Sequence, residues 1–227
     1  MGSTVTTDTD KGKAEDWLDA AYAMLIKFGV DSVKILPLAK VLNTSRTSFY
    51  WFFKDREALL KQLIERWKAT NTEALIQQTE RYADTVVEAM LNVFDCWLDE
   101  RLFDAEFEYA VRNWAMQDAR VATEVASADQ RRLEALTAML IRFGYGPHEA
   151  GVRARTTYLT QIGYISMHTR ETKAVRIGRV AEYVQVFTGQ PCERRDLERF
   201  VSRHAPDLKD WMSAYEERRA VELRDVQ

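Results

Sequence analysis

Leu42-Asn43-Thr44-Ser45-Arg46-Thr47-Ser48-Phe49-Tyr50-Trp51-Phe52-Phe53-Lys54-Asp55-Arg56-Glu57-Ala58-Leu59-Leu60 holds a turn, a short helix dense in hydroxyls and aromatics, and the start of a long helix. A helix that short does not stand alone, because nucleation is unfavourable and fewer than about 12 residues rarely hold helicity in water. Neighbouring structure must carry it. The preceding segment supplies the carrier: Ile35, Leu38, Ala39 and Leu42 recur at the spacing of one buried helical face. Downstream, Asp55 is placed to cap a fourth helix that runs on past Trp67. Upstream, Trp17, Ala21, Met24, Leu25 and Phe28 form the stripe of a helix over residues 14–28 that ends at Gly29.

Two short helices joined by a tight turn make a helix-turn-helix unit, in which the second helix enters the DNA major groove. The polar residues of the window suit that use. Ser45 is placed to cap the second helix, its hydroxyl accepting from the amide of Thr47 or Ser48. Arg46, Thr47, Ser48 and Tyr50 project from the next turn and a half. Arginine is the commonest bidentate reader of guanine, and hydroxyls suit phosphates or base edges. Tyr50, Lys54 and Arg56 are expected on backbone phosphates, whereas Phe49, Phe52 and Phe53 are spaced to point into a core. An isolated arginine among hydroxyls is most often a solvated helix face; here the order of the whole window argues against that.

The stretch Ser45 to Leu59 resembles the recognition helix and fourth-helix start of the TetR (tetracycline-repressor-like) family of bacterial transcriptional regulators. The helix over 14–28, Gly29 and Leu38-Ala39 fall where that family places them, so the specific motif spans about residues 14–60. Asn113-Trp114-Ala115 with Asp118, Val121, Val125, Asp129 and Arg132 is similar to a regulatory-domain pattern in part of the family. The resemblance implies an all-α fold: an N-terminal three-helix helix-turn-helix DNA-binding domain over 11–58 and a larger helical ligand-binding and dimerisation domain over 59–227. It further implies a homodimer on a palindromic double-stranded DNA operator, released by a small hydrophobic effector, with no cofactor and no metal. The DNA-contacting set is then Lys34, Ser45, Arg46, Thr47, Ser48, Tyr50, Trp51, Lys54 and Arg56.

Four positions depart from the family pattern. The turn residue, commonly Gly, is Asn43, which tolerates a left-handed φ better than most residues. Phe52 stands where many members carry a phosphate-binding His or Tyr. Leu36 and Pro37 open the second helix, where members often have Arg and Asp, so base reading falls on the third helix and Lys34 is left to reach a phosphate.

At 227 residues, 46% hydrophobic and 30% charged, the chain has an ordinary globular composition with room for one small domain and one larger one. No apolar run approaches the ~18 residues of a membrane span, and no leader pattern opens the chain, so no membrane partner and a cytoplasmic location are expected. Cys96 and Cys192 are isolated thiols, expected buried and reduced. The net charge of −3 suits DNA poorly until it is divided. Residues 11–70 hold 11 Lys and Arg against 7 Asp and Glu, so positive charge gathers where the motif lies, and phosphate attraction needs only a local surplus.

The rest reads as helix after helix, after a Thr- and Asp-rich stretch over 1–10 expected to be disordered. Met24-Leu25-Ile26-Lys27-Phe28-Gly29 and Met139-Leu140-Ile141-Arg142-Phe143-Gly144 are near copies, read as two helix ends with Gly just past the last turn. Wide aromatic stripes follow: Met90, Phe94, Trp97 and Leu98 over 83–101, then Phe103, Phe107, Ala110, Val111 and Trp114 over 103–116. Plain core packing competes with a ligand pocket for these. The resemblance implies a pocket among the fifth to eighth helices, with Trp97, Phe107, Trp114, Met139 and Tyr158 as candidates for an apolar or aromatic effector. Pro147 opens a helix to about Arg170 with the stripe Gly151, Ala154, Tyr158, Ile162 and Ile165, and Ile177, Val180, Ala181, Val184 and Phe187 make another after a break near Thr172. Gly151, Ala154, Ile162, Ile165, Ile177, Val180, Val184 and Phe187 are expected at a four-helix dimer interface; packing within one chain is the competing explanation. Two amphipathic segments close the chain, Leu197, Phe200, Val201 and His204, then Leu208, Trp211, Met212 and Tyr215.

Catalytic patterns fare poorly. His148, His168 and His204 have no metal or nucleophile spacing, and no Gly-rich phosphate loop or Gly-x-Ser-x-Gly elbow occurs. Two functions stay open: a sequence-specific DNA-binding regulator, or a helical small-molecule binding protein or enzyme with a vestigial DNA-binding unit.

Overall fold

The computed structural model describes the backbone from Asp8 to Ala205 and the side chains from Ala14 to Ala205. Twelve α-helices follow one another among these residues with no strand. They are α1 (Asp8–Phe28), α2 (Ile35–Val41), α3 (Arg46–Phe49), α4 (Arg56–Trp67), α5 (Ala74–Glu80), α6 (Val86–Leu98) and α7 (Ala105–Ala115), then α8 (Ala119–Arg142), α9 (Pro147–Ser166), α10 (Lys173–Ile177), α11 (Val180–Thr188) and α12 (Arg194–His204). Packing divides the described residues discontinuously: those up to 73 form one compact unit with 104–130, and 74–103 form the other with those from 131 onward.

Helix ends follow local chemistry. Ser45, Asp55, Thr85 and Asp104 each cap a helix, accepting from the amides of Ser48, Ala58, Glu88 and Phe107. Gly29 and Gly144 both take positive φ, 79° and 92°, just past their helices, the conformation that the paired Met-to-Gly segments predict. Helix α1 starts at Asp8, so residues 8–10 are helical where disorder is expected; residues 1–7 lie outside the described residues. The stripe of Leu208, Trp211, Met212 and Tyr215 also lies outside them.

In the first unit α1, α2, α3, α4, α7 and the start of α8 bury one core, with Trp17, Leu25, Leu38, Phe49, Leu63 and Trp67 at its centre. After Trp67 the helix widens into a π-turn, Lys68–Glu73. Its cause is polar. Fully buried Asn71 donates to the Asp104 carbonyl at 2.9 Å and to Glu108 Oε2 at 3.0 Å, and accepts from the Asp104 amide at 3.0 Å. Trp67 Nε1 also donates to Glu108 Oε2 at 2.7 Å, while Arg112 joins Glu108 at 2.9 Å and Asp129 at 2.5 Å.

In the second unit α6 is buried on all sides except at Glu88, as expected of a helix apolar around its whole circumference, and α5, α11 and α12 pack on it. Its buried Asp95 is matched by Arg81 at 3.1 Å, Arg203 at 3.1 Å and His204 Nε2 at 2.6 Å. Burial pushes the neighbouring Cys96 thiol up to about 12, so it stays protonated. Both cysteines are buried, as the sequence predicts. Helix α9 stops at Ser166, short of the expected Arg170, and the expected Ile177–Phe187 segment is interrupted at Gly178 and Arg179.

Candidate functional site

Helix α3 is held from beneath by aromatic packing. Phe49 is fully buried, edge-on to Trp17 with ring centroids 5.2 Å apart and stacked on Phe53 at 5.3 Å. Phe52 is half-buried against the same core. The turn before it closes as the sequence predicts: Asn43 adopts φ 49°, and the Thr44 amide returns to the Ala39 carbonyl at 2.9 Å. Such anchoring fixes the register of every residue on the outer side.

That outer side presents Ser45, Arg46, Thr47, Tyr50, Trp51 and Lys54 to solvent, with Ser48 half-exposed. Trp51 is 73% exposed, beside a helix otherwise pinned by its aromatics. Arg46 Nη2 donates to the Tyr50 hydroxyl at 3.1 Å, so the guanidinium rests on a neutral partner that an anion or a base edge replaces at little expense. Thr44, Ser45 and Ser48 hydroxyls link at 3.2 and 3.0 Å. Lys34 sits exposed at the N-cap of α2, and neither it nor Lys54 pairs with an acid among the described residues. Eight of the nine expected DNA-contacting residues therefore share the accessible surface around α3 and the N-terminus of α2.

Arg56 is the ninth, and it turns inward. Its Nε donates to the Val33 carbonyl at 2.6 Å and its Nη2 to the Val30 carbonyl at 2.8 Å, while Glu57 lies 3.5 Å from Nη1. These bonds satisfy carbonyls in the turn before α2, which gives Arg56 a positioning role.

The five expected effector residues are divided between the two units. Phe107 and Trp114 belong to the core of the first unit, Phe107 edge-on to Tyr22 at 5.0 Å. Met139 and Tyr158 are buried in the second unit, and the Tyr158 hydroxyl accepts from fully buried Arg132 at 2.9 Å. Trp97 lines a cavity within the second unit, and Trp114 lines a separate one in the first unit beside Leu60, Ile64 and Val121. The apolar wall of the Trp97 cavity includes Phe94, Val180, Tyr183 and Phe187, and its polar groups include Gln161 and Arg176. Phe187 stacks on Tyr183 at 5.4 Å and on Phe94 at 6.1 Å. The hydroxyls of Tyr164 and Tyr183 are 2.8 Å apart, and this bond together with burial pushes Tyr183 up to about 12. The sequence carried a signal for the cavity: Arg176 falls on the helical stripe of Val180, Tyr183 and Phe187, a cation on an apolar face.

Of the expected dimer residues, Ala154, Ile165, Ile177, Val180, Val184 and Phe187 are buried inside their own unit, where α11 packs against α6 and α9. Gly151 and Ile162 are half-exposed. The outward face carries Val152 and Leu159 on α9, 53% and 60% exposed, and Val186 on α11.

Residues 18–63 match the family model described as bacterial regulatory proteins, tetR family. A solved structure from Mesorhizobium loti MAFF303099, provisionally named a TetR-family transcriptional regulator, superposes with a TM-score of 0.56 at 14% identity, over 87% of this chain and 98% of that one. That likeness concerns the fold. No curated protein matches the sequence.

Proposed function

We propose that the chain, whose residues 18–63 match the tetR-family model, is a dimeric, ligand-controlled repressor of that family. Residues 11–58 bind a palindromic operator, and residues 59–227 sense a small hydrophobic effector and dimerise. The carrying observation is the exposed group Arg46, Thr47, Tyr50, Trp51 and Lys54 on a helix pinned by Phe49 and Phe53. Arg46 reads a guanine, the hydroxyls and Lys54 meet phosphates, and Lys34 adds a contact from α2.

Dimerisation follows from the outward face of α9 and α11. Val152, Leu159 and Val186 form an apolar surface that a second copy covers, and two copies place recognition helices in successive major grooves about 34 Å apart. No described helix is long and apolar enough to cross a membrane, and the proposed site of action is the bacterial cytoplasm. The cavity of the second unit takes the effector, which must bind the DNA-incompetent state more tightly than the competent one, since equal affinity shifts nothing.

The test is a gel shift with DNA flanking the protein's own gene. A discrete complex that survives excess random duplex is expected. Binding no tighter than to random duplex contradicts the regulator assignment and favours a vestigial DNA-binding unit.

A further inference from the structure

The second-unit cavity has an uneven chemistry. Its wall contains two arginines, Arg176 and Arg179, and no acidic residue. Arg179 is already engaged: its Nη1 donates to Glu171 Oε1 at 2.6 Å. Arg176 is not. Its guanidinium makes no hydrogen bond or ion pair with any described residue, although it is largely withdrawn from solvent. Burial lowers its pKa from the ordinary arginine value, with Tyr164 and Glu171 opposing that shift through space. Arginine stays charged in proteins nonetheless, so the cavity wall holds a cation whose hydration has been reduced and not replaced. Two guanidinium groups and the single carboxylate of Glu171 leave one positive charge in surplus.

A second observation is independent of that charge. Trp97 lines the same cavity, is 7% exposed, and its indole N–H is buried with no hydrogen-bond partner among the described residues. A buried donor without an acceptor is uncommon in folded proteins and expensive to leave unmade. The remaining wall, formed by Phe94, Tyr183 and Phe187, is aromatic. A wholly apolar effector satisfies neither Arg176 nor Trp97.

Resting on the effector role given to this cavity above, we propose that its ligand is a small amphipathic carboxylate, with an aryl or aliphatic body against Phe94, Tyr183 and Phe187 and a carboxylate paired with Arg176. Trp97 Nε1 donates a further hydrogen bond to the ligand.

The probes are phenylacetate, hydrocinnamate and octanoate, each beside its neutral amide, titrated by calorimetry into the full chain. At least one acid is expected to bind about tenfold or more tightly than its amide, a difference of about 1.4 kcal/mol. Arg176→Gln should remove that preference and keep the amide affinity, and Arg176→Lys should restore part of it. Thermal melting of Arg176→Gln without ligand guards against simple unfolding: loss of an unpaired buried cation should leave the melting temperature equal or higher, whereas loss of a structural ion pair would lower it. Amides binding as well as acids, no probe binding, or an acid preference intact in Arg176→Gln would each overturn the inference. Operator affinity is measured in the same samples. Arg176-dependent acid binding that never weakens the DNA complex would uphold the carboxylate site and refute the effector role.

Discussion

Trp67 and Trp97 are both buried in helical cores, but among the described residues only Trp67 has a partner for its indole N–H. In the first unit Trp67 donates to Glu108, and Asn71 and Arg112 occupy the rest of that carboxylate. In the second unit Trp97 faces a cavity with nothing to accept its proton. The three buried side-chain atoms without partners among the described residues, on Gln78, Trp97 and Glu171, all fall in the second unit. A closed polar network fixes one arrangement, as a platform for α3 requires; an open one leaves donors for a molecule that comes and goes.

Substitutions can break that contrast. The largest effect is expected from Val184→Asp, which buries an uncompensated charge among α6, α9 and α11 and should unfold the second unit. Leu159→Asp, on a residue 60% exposed, should keep the fold and yield monomers in sedimentation. A monomeric Val184→Asp with an intact melt would return the interface to the inner stripe. Next, Glu108→Ala removes the acceptor shared by Trp67 Nε1, Asn71 Nδ2 and Arg112 and should destabilise the first unit by about 3–5 kcal/mol in urea unfolding. A smaller pair compares the tryptophans directly. Trp67→Phe deprives a buried carboxylate of a donor and should cost about 1–3 kcal/mol more than Trp97→Phe, which removes no hydrogen bond. Equal costs would mean that the Trp97 N–H is satisfied in solution and the contrast is false. The smallest effect concerns Lys54→Ala, which should leave unfolding unchanged and shallow the salt dependence of DNA binding by roughly one charge per protomer. An unaltered salt slope would place Lys54 away from phosphate.

Much of the first unit is legible in sequence because its determinants are local. A cap at Ser45, a left-handed Asn43 and an apolar spacing over Ile35–Leu42 each act within a few residues. The second unit is less legible because a stripe states that a face is buried and not what buries it. Ala154, Val184 and Phe187 are spaced as they would be at an interface, yet they face their own unit, and Phe107 and Trp114 pack in a different core from Trp97. Arg56 illustrates the same limit at single-residue scale. Its position beside Lys54 fits a phosphate contact, but its bonds to Val30 and Val33 join positions far apart in sequence, which no periodicity encodes. The π-turn at Lys68–Glu73 was hidden likewise, since its cause is Asn71 reaching Asp104 and Glu108.

The central claim is that α3 reads DNA sequence through Arg46. Selection of binding sites from random duplex, run on the wild type and on Arg46→Ala in parallel, tests it most directly. An inverted repeat should be enriched by the wild type, and Arg46→Ala should weaken binding to it by about 1–3 kcal/mol and lose preference at one position in each half-site. The same base preference in both proteins, or no enriched sequence for the wild type, would contradict the account.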